Sequence, residues 1–311
     1  MKYRADTHAQ ASSLIKSLKK MTASICAVSV STAIFAGIVF GADLDDVRKR
    51  GVLRHLGVPY ANFVTGSGDG MDVELMKMFA RHIGVNYKYI KTDWNSVFGD
   101  LTGEAVVPKG EDVEVIGKTA VRGDIAASGI TILPWRKQIA DFSLPVFPNQ
   151  VWLVSRADSP LKPIKPTGDI HNDIKAVKKL LRGRSILGKS NTCLDPSLYN
   201  LDATGAEVHL FGKDLNELAP AIINGESELT LLDIPDAIVA LQKWPGLIKV
   251  IGPISEVQEM GVAFPKNAPA LREAFDKFMV KIRKDGTFTR IVNKYYPFIF
   301  DFSPDFFKAE H

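Results

Sequence analysis

The stretch that decides the fold is GITILPWRKQIADFSLP, residues 129–145. An apolar run typical of a buried strand ends at Leu133, and Pro134 follows, which suits the first turn of a helix because its missing N–H would be unpaired there anyway. Arg136 then lies in the first turn, where a cation opposes the helix dipole. This position suits an arginine whose planar guanidinium faces a carboxylate. The alternative is a solvated surface arginine.

Segments typical of strands and helices alternate on both sides of this stretch. Before it, GMDVELMKMFARHIG (70–84) predicts an amphipathic helix between two strands, with Asp72 placed to cap its start. The mixed, polar segment 102–121 predicts a hairpin-like excursion. After it, strand and helix alternate again, and two helices complete the chain. This alternation predicts two α/β units of about a hundred residues each, with parallel sheets flanked by helices.

Three polar segments fall where such sheets bind ligands, beyond the carboxyl ends of strands. They are ASGIT (127–131) with the nearby Arg136, KSNTC (189–193) before a helix, and Asp233 after the strand LTLL (229–232). A cationic fork and a carboxylate on different units complement a zwitterion. Asp233 could instead simply cap the helix that begins at Pro235.

The composition fits a globular protein with a well-filled core: 46% of the 311 residues are hydrophobic and 24% are charged. The formal net charge is +4, and five basic residues against one acidic residue in 1–42 account for it. The remainder is close to neutral, so we expect no nucleic-acid partner. The six histidines are scattered without metal-ligand spacing, so we expect no metal site.

Residues 1–42 have the pattern of a secretory signal peptide: a basic start, an uncharged apolar run at 21–42 and small residues at its end. We expect cleavage near Gly41 or Ala42 and a secreted mature protein. Because the apolar run is long, an uncleaved membrane anchor is the alternative. After cleavage Cys193 would be the only cysteine, so that no internal disulfide could form.

The segment GDIAASGITILPWRKQIADFSLP (123–145) resembles the corresponding part of bacterial extracellular solute-binding proteins of family 3, the polar amino-acid-binding type. DLDDVRKRGVLRHLGVPYANF (43–63) is similar to the first strand of that family and the tyrosine that follows it. GMDVELMKMFARHIG (70–84) is similar to its first helix, and RKDGTFTRIVNKYY (283–296) to its closing helix. The resemblance covers nearly the whole mature chain.

This resemblance implies the type II periplasmic binding protein fold, an α/β fold of two lobes. Each lobe would be a mostly parallel sheet flanked by helices, and a two-strand hinge would join the lobes. Lobe 1 would comprise 43–148 and 262–311, and lobe 2 would comprise 149–261. The chain would cross between lobes near Phe147–Trp152 and Met260–Phe264.

The resemblance also implies roles for individual residues. Arg136 would hold the α-carboxylate of a ligand, and Asp233 would take its ammonium group. The remaining ligand-binding residues would be Ser128, Gly129 and Thr131 from lobe 1, Asn191 and Thr192 from lobe 2, and Tyr60 and Trp94 as walls of the side-chain pocket.

Some of these residues have structural alternatives. Trp94 could be a core aromatic, and Ser128 and Thr131 could be small residues packed under a helix. The sequence also departs from the family, which usually has threonine where Leu133 stands and Gly-Thr-Thr where Ser190-Asn191-Thr192 stands. These departures leave the pair of Arg136 and Asp233 intact and favour an unusual amino acid or a derivative as ligand.

The implied function is delivery of an amino-acid-like solute to the permease of an ABC importer, by a monomer that needs no cofactor and performs no chemistry. Two alternatives stay open. One is a secreted dehydratase-like enzyme on the same fold, in which Cys193 stands in place of a second-lobe glutamate. The other is a ligand-sensing protein for a separate receptor. Cys193 could be a nucleophile or a buried thiol, and no histidine stands at a recognisable spacing from it.

Overall fold

The computed structural model describes residues 42–66 and 68–308. The predicted signal segment lies outside the described residues, apart from Ala42. Within the described ranges, every helix is too short or too polar to cross a membrane.

Strands and helices alternate along most of the described chain. The strands are β1 Val52–Gly57, β2 Asn86–Lys91, β3 Glu104–Lys109, β4 Asp112–Lys118, β5 Ile125–Thr131, β6 Ala140–Phe142, β7 Phe147–Asn149, β8 Val151–Arg156, β9 Ser185–Gly188, β10 Glu207–Leu210, β11 Leu229–Asp233, β12 Ile248–Pro253 and β13 Gln258–Pro265. The helices are α1 Leu44–Arg50, α2 Met71–His82, α3 Val97–Thr102, α4 Pro134–Ile139, α5 Ile170–Lys178, α6 Leu218–Ile223, α7 Ile234–Lys243, α8 Pro269–Lys284, α9 Thr287–Tyr295, α10 Ile299–Phe302 and α11 Pro304–Lys308. Short 3₁₀ turns lie at Pro196–Tyr199, Asp202–Thr204 and Leu215–Glu217.

The two main sheets form the two lobes predicted from the resemblance. The first sheet has the order β2-β1-β5-β13-β6, with β7 also paired to β13, and the second has the order β10-β9-β11-β8-β12. The chain passes from the first sheet to the second between β7 and β8, and it returns between β12 and β13. β13 pairs with first-sheet strands from Gln258 onward, whereas the predicted boundary lies at 261.

Both sheets are mixed rather than mostly parallel as expected. In the first sheet β1 runs parallel to β2 and β5, but β13 is antiparallel to β5, β6 and β7. In the second sheet β9 runs parallel to β10 and β11, but β8 is antiparallel to β11 and β12. The antiparallel strands β8 and β13 are the ones by which the chain enters each sheet from the other lobe.

The predicted excursion at 102–121 is a hairpin, as expected. β3 and β4 pair antiparallel outside both main sheets, and most of their residues are at least partly exposed. The side-chain amide of Gln138 on α4 donates to the carbonyl of Glu111 at the hairpin tip, over 3.0 Å. The hairpin therefore packs beside the helix that carries Arg136.

Helix α2 is amphipathic as predicted, and Leu75, Met76 and Phe79 on its inner face are buried. Its start differs from the prediction, because Gly70 is the N-cap residue and no side chain caps the helix. Asp72 is buried within the first turn instead, and its Oδ2 accepts from the N–H of Gly129 over 2.8 Å. Asp72 at the start of α2 thus bonds to β5 and does not cap its own helix.

Strand β5 carries the first half of the candidate site, and all seven of its residues are buried. Asp124, just before it, accepts hydrogen bonds from the side chains of Arg50 and Arg54. His55 on β1 contacts the carbonyl of Ala127 through Nε2 at 2.7 Å. Burial lowers the pKa of His55 to about 4, so this ring is neutral near pH 7 and donates to the carbonyl. These contacts hold β5 in place.

Candidate functional site

A small cavity lies where the two lobes meet. It has a volume of about 10 Å³, which is room for about one water molecule. Its lining residues are Tyr60, Trp94, Gly129, Thr131, Arg136, Thr192, Cys193, Leu215 and Asp233. The cavity therefore brings together seven of the nine residues predicted from the sequence and leaves out Ser128 and Asn191.

The guanidinium of Arg136 is the largest charged group at the cavity, and the arginine is only 1% exposed. Its Nη1 donates to the carbonyl of Thr131 over 2.8 Å, and its Nη2 donates to the carbonyl of Asn191 on the other lobe over 3.1 Å. Nε is buried without a partner among the described residues. Within the same residues, no carboxylate oxygen lies within 4.0 Å of the guanidinium. The surface position considered for Arg136 is thus wrong.

Three aromatic rings surround this guanidinium. Its Cζ lies 5.7 Å from the ring centroid of Trp94, 5.3 Å from that of Phe98 and 5.2 Å from that of Trp135. Burial lowers the pKa of Arg136 to about 10, so the group remains charged at neutral pH. The rings offset part of the cost of burying this charge by cation–π attraction, but they supply no opposite charge.

Asp233 ends strand β11 and is completely buried. Its Oδ1 accepts from the N–H of Asp236 over 3.2 Å, so it caps α7 as the alternative interpretation predicted. The same carboxylate accepts from the Tyr60 hydroxyl on the other lobe, and from the thiol of Cys193 at 3.5 Å. Burial raises the pKa of the carboxyl to about 6. Asp233 thus caps its helix and borders the cavity at once.

Two aromatic side chains form one wall of the cavity. Tyr60 and Trp94 meet edge to face with centroids 5.7 Å apart. Both are buried, and the indole Nε1 of Trp94 has no hydrogen-bond partner in the described structure. Trp94 is therefore a buried aromatic residue and a cavity wall, so its two interpretations do not exclude each other.

The residues of β5 contribute unequally to the cavity. Gly129 lies in the left-handed region at φ +59°, and a Cβ there would come within 2.4 Å of the Phe63 ring. Thr131 lines the cavity, and its hydroxyl oxygen accepts from the side-chain amide of Asn149 over 3.3 Å. Ser128 does not line it. Its hydroxyl accepts from the Val58 N–H over 2.7 Å and donates to the carbonyl of Ala127, so this side chain bonds to the backbone of its own lobe.

The second-lobe loop reaches the cavity through Thr192 and Cys193. Asn191, at φ +63°, offers its carbonyl to Arg136 while its side-chain amide donates to Asn95 Oδ1 across the lobes over 3.1 Å. The Thr192 hydroxyl donates to the carbonyl of Lys189 over 2.8 Å, within its own loop. The side chain of Asn191 thus joins the lobes at the rim and does not enter the cavity.

Cys193 and Leu215 also line the cavity although neither was assigned a binding role. Burial raises the pKa of the Cys193 thiol well above its usual range, so the thiol is neutral and donates weakly to Asp233. Within the described ranges, no histidine forms a hydrogen bond with this thiol. Leu215 adds an apolar surface, and its only sequence signal is a position in the apolar pattern of the segment that leads into α6.

Other features of the described structure are less suited to a small ligand. A larger open groove of about 550 Å³ runs along α5, and surface lysines such as Lys175 and Lys178 line it. It lacks the convergent buried polar groups that fix a small ligand. No group of three or more His, Cys, Asp or Glu side chains among the described residues could hold a metal ion.

Comparison with known proteins places the chain in a family. The sequence profile of bacterial extracellular solute-binding proteins, family 3, matches residues 115–298. The amino-acid-binding protein AabA of Dichelobacter nodosus is 25% identical over 237 residues, which are 75% of this chain and 81% of that protein.

Two further similarities differ in extent. A membrane-bound lytic murein transglycosylase F of Desulfosudis oleivorans is 26% identical over 231 residues, 73% of this chain, but the chain spans only 44% of that relative's length. A crystal structure of a mutant of ArgBP from T. maritima has the same fold, with a TM-score of 0.65 at 23% identity, covering 82% of this chain and 99% of that one. The profile match extends over more than half of the sequence, so the chain belongs to the bacterial extracellular solute-binding proteins, family 3.

Proposed function

We propose that this protein is a periplasmic binding protein that holds an amino-acid-like solute between its lobes and delivers it to an ABC importer. The observation that carries the proposal is the guanidinium of Arg136, which is buried at the cavity without a carboxylate within 4.0 Å. A buried charge without an opposite charge is costly. The carboxylate of a ligand would supply the missing charge.

A carboxylate at the same cavity supports a zwitterionic ligand. Asp233 borders the same cavity from the other lobe, and its carboxylate would accept from an ammonium group. In doing so it would exchange the hydroxyl of Tyr60 for the ligand. A cavity of about 10 Å³ is too small for an amino acid, so a ligand would enter only while the lobes are apart.

The relatives support the ligand class and the location. AabA is named an amino-acid-binding protein, and the family is described as extracellular. Both agree with a solute taken up outside the cytoplasmic membrane. Transfer to an ABC permease, action as a monomer and export by the segment 1–42 are parts of the same proposal.

The cavity chemistry favours binding over catalysis. Cys193 is a buried neutral thiol without a base beside it, whereas a cysteine nucleophile needs a lowered pKa or an adjacent base. Asp233 is the one carboxylate among the described cavity-lining residues, and the similarity to a transglycosylase covers only 44% of that relative's length. Neither the dehydratase-like alternative nor the partial similarity to a transglycosylase therefore changes the proposal.

The proposal is tested by native mass spectrometry of protein purified without refolding, followed by titration calorimetry with each of the twenty standard L-amino acids. Arg136→Ala should weaken binding by about 30-fold or more, since breaking a buried charge pair costs about 2–5 kcal/mol and each 1.4 kcal/mol is tenfold. Arg136→Lys should recover little, because an ammonium group cannot form two parallel bonds. Arg48→Ala is the matched control, since Arg48 is exposed on α1.

Two results would contradict the proposal. One is a folded Arg136→Ala variant that keeps the affinity of the wild type. The other is the absence of both a retained mass and any binding among the twenty amino acids.

A further inference from the structure

The residues that line the cavity differ in whether the protein itself satisfies their polar groups. Most already have protein partners, namely the hydroxyls of Tyr60 and Thr192, the thiol of Cys193, the hydroxyl oxygen of Thr131 and the N–H of Gly129. Two buried groups have none within the described part of the chain: Nε of Arg136 and Nε1 of Trp94. Both unpaired groups are N–H donors.

Unpaired buried donors are rare in proteins and cost free energy. An indole N–H and a guanidinium N–H can only donate, so only an acceptor can satisfy them. Asp233, by contrast, already accepts from Tyr60, Asp236 and Cys193. The unpaired donors of these two residues therefore require acceptor atoms beside the guanidinium of Arg136.

The two donors belong to neighbouring side chains. Both belong to the first lobe, since Trp94 follows β2 and Arg136 lies on α4. The Cζ of Arg136 is 5.7 Å from the ring centroid of Trp94, and both residues line the same small cavity. A carboxylate has two oxygens with about four acceptor positions, whereas a carboxamide replaces one oxygen by a donor.

We propose that Trp94 donates a hydrogen bond from its indole nitrogen to the carboxylate of the ligand, alongside Nε of Arg136, and so selects free carboxylic acids over their amides. This inference rests on the proposed function, since it places the ligand in this cavity. It makes Trp94 a specificity-determining residue as well as a wall of the pocket.

The test compares Trp94→Phe with Trp135→Phe. Each change keeps an aromatic ring and removes one indole N–H, and both rings flank Arg136, but Trp135 does not line the cavity. The probe is whichever of the twenty standard L-amino acids raises the melting temperature of the wild type most. Trp94→Phe should weaken its binding about 10-fold or more, the value of one hydrogen bond to a charged group, and Trp135→Phe should change it less than about 2-fold.

A second readout separates a hydrogen bond from ring packing. The α-carboxamide of the same amino acid should bind the wild type more weakly than the acid does. That difference should shrink in Trp94→Phe and stay unchanged in Trp135→Phe. Equal losses in the two variants, or an unchanged difference between acid and amide in Trp94→Phe, would overturn the proposal.

Failure of the proposed function has a distinct outcome. If no amino acid binds, sodium acetate serves as the probe, and the indole N–H signals of the four tryptophans are followed in ¹H–¹⁵N spectra. The Trp94 signal is identified by its loss in Trp94→Phe. A saturable downfield shift of that signal with acetate would support the proposal, and an unmoved signal would overturn it.

Discussion

Among single residues, Asp72 on α2 lies directly behind the candidate site. It is 1% exposed, and its Oδ2 accepts from the N–H of Gly129, which lines the cavity. Its Oδ1 is buried without a partner within the described ranges. Burial raises the pKa of this carboxyl to about 7, well above its value in an unfolded chain. The folded protein therefore favours the neutral form of Asp72.

The variant Asp72→Asn should change how stability depends on pH. Because the folded pKa is raised, the contribution of Asp72 to the free energy of unfolding is complete below about pH 4 and is lost as pH rises through about 7. Asparagine stays neutral throughout. Between about pH 4 and pH 8, the wild type should therefore lose roughly 4 kcal/mol relative to the variant.

Urea unfolding at several pH values, carried out on both proteins, measures this difference. The titration of buried His55 affects both proteins alike and cancels in the comparison. Parallel curves of stability against pH would show that the ionised form of Asp72 is tolerated after all.

Residue positions were predictable where they follow from the end of a strand. Arg136 follows β5, and Asp233 ends β11. The alternation of strands and helices alone predicts that both lie where the sheets bind ligands. The direction of side chains was less predictable. The Ser128 side chain bonds to the backbone of Val58, and the Asp72 side chain bonds to β5. These orientations depend on tertiary neighbours, which no local sequence pattern reveals.

At the scale of elements, the two crossing segments are connected to the cavity by side chains. Asn149 on β7 and Gln258 on β13 are directly paired, and the amide of Asn149 donates to Gln258 Oε1 over 3.1 Å. Asn149 also donates to Thr131, and the amide of Gln258 donates to the Tyr199 hydroxyl over 3.3 Å. The crossing strands thus contact residues of both lobes.

The variant Asn149→Ala should destabilise the fold. Asn149 is fully buried, and its amide makes two side-chain hydrogen bonds. At about 0.5–1.5 kcal/mol for each bond, the loss should be about 1–3 kcal/mol. Thermal and urea unfolding measure it, with Asn172→Ala on the exposed side of α5 as the matched control. Identical unfolding midpoints for the two variants would show that the crossing pair contributes no stability.

Most elements were predictable from local patterns, and strand direction was not. The hairpin β3–β4 and the amphipathic α2 and α8 follow from alternation and apolar periodicity. Helix α5 was not predicted, because it comes directly after a proline- and lysine-rich loop. The antiparallel direction of β8 and β13 depends on how the chain crosses between lobes, which short-range periodicity does not encode.

At the scale of the whole molecule, hydrogen bonds between distant segments hold the lobes together around the cavity. Arg136 donates to the Asn191 carbonyl, Tyr60 to Asp233, Asn191 to Asn95, and the N–H of Ala61 to Asn216 Oδ1. The partners lie from 55 to 173 residues apart in sequence. The two-lobed fold could be expected from the sequence, but these pairings could not, because they exist only once both lobes are built.

Ligand binding should contract the protein in solution. Few hydrogen bonds join the lobes, and the cavity of about 10 Å³ admits an amino acid only after they separate, so the free protein should sample open arrangements. A bound zwitterion would add bonds to Arg136 on one lobe and Asp233 on the other, and should favour closure.

Small-angle X-ray scattering should show a smaller radius of gyration with a saturating amino acid from the calorimetric panel. Arg136→Ala at the same amino-acid concentration should keep the larger radius. Scattering curves of the wild type that superimpose with and without that amino acid would rule out closure as the mode of binding.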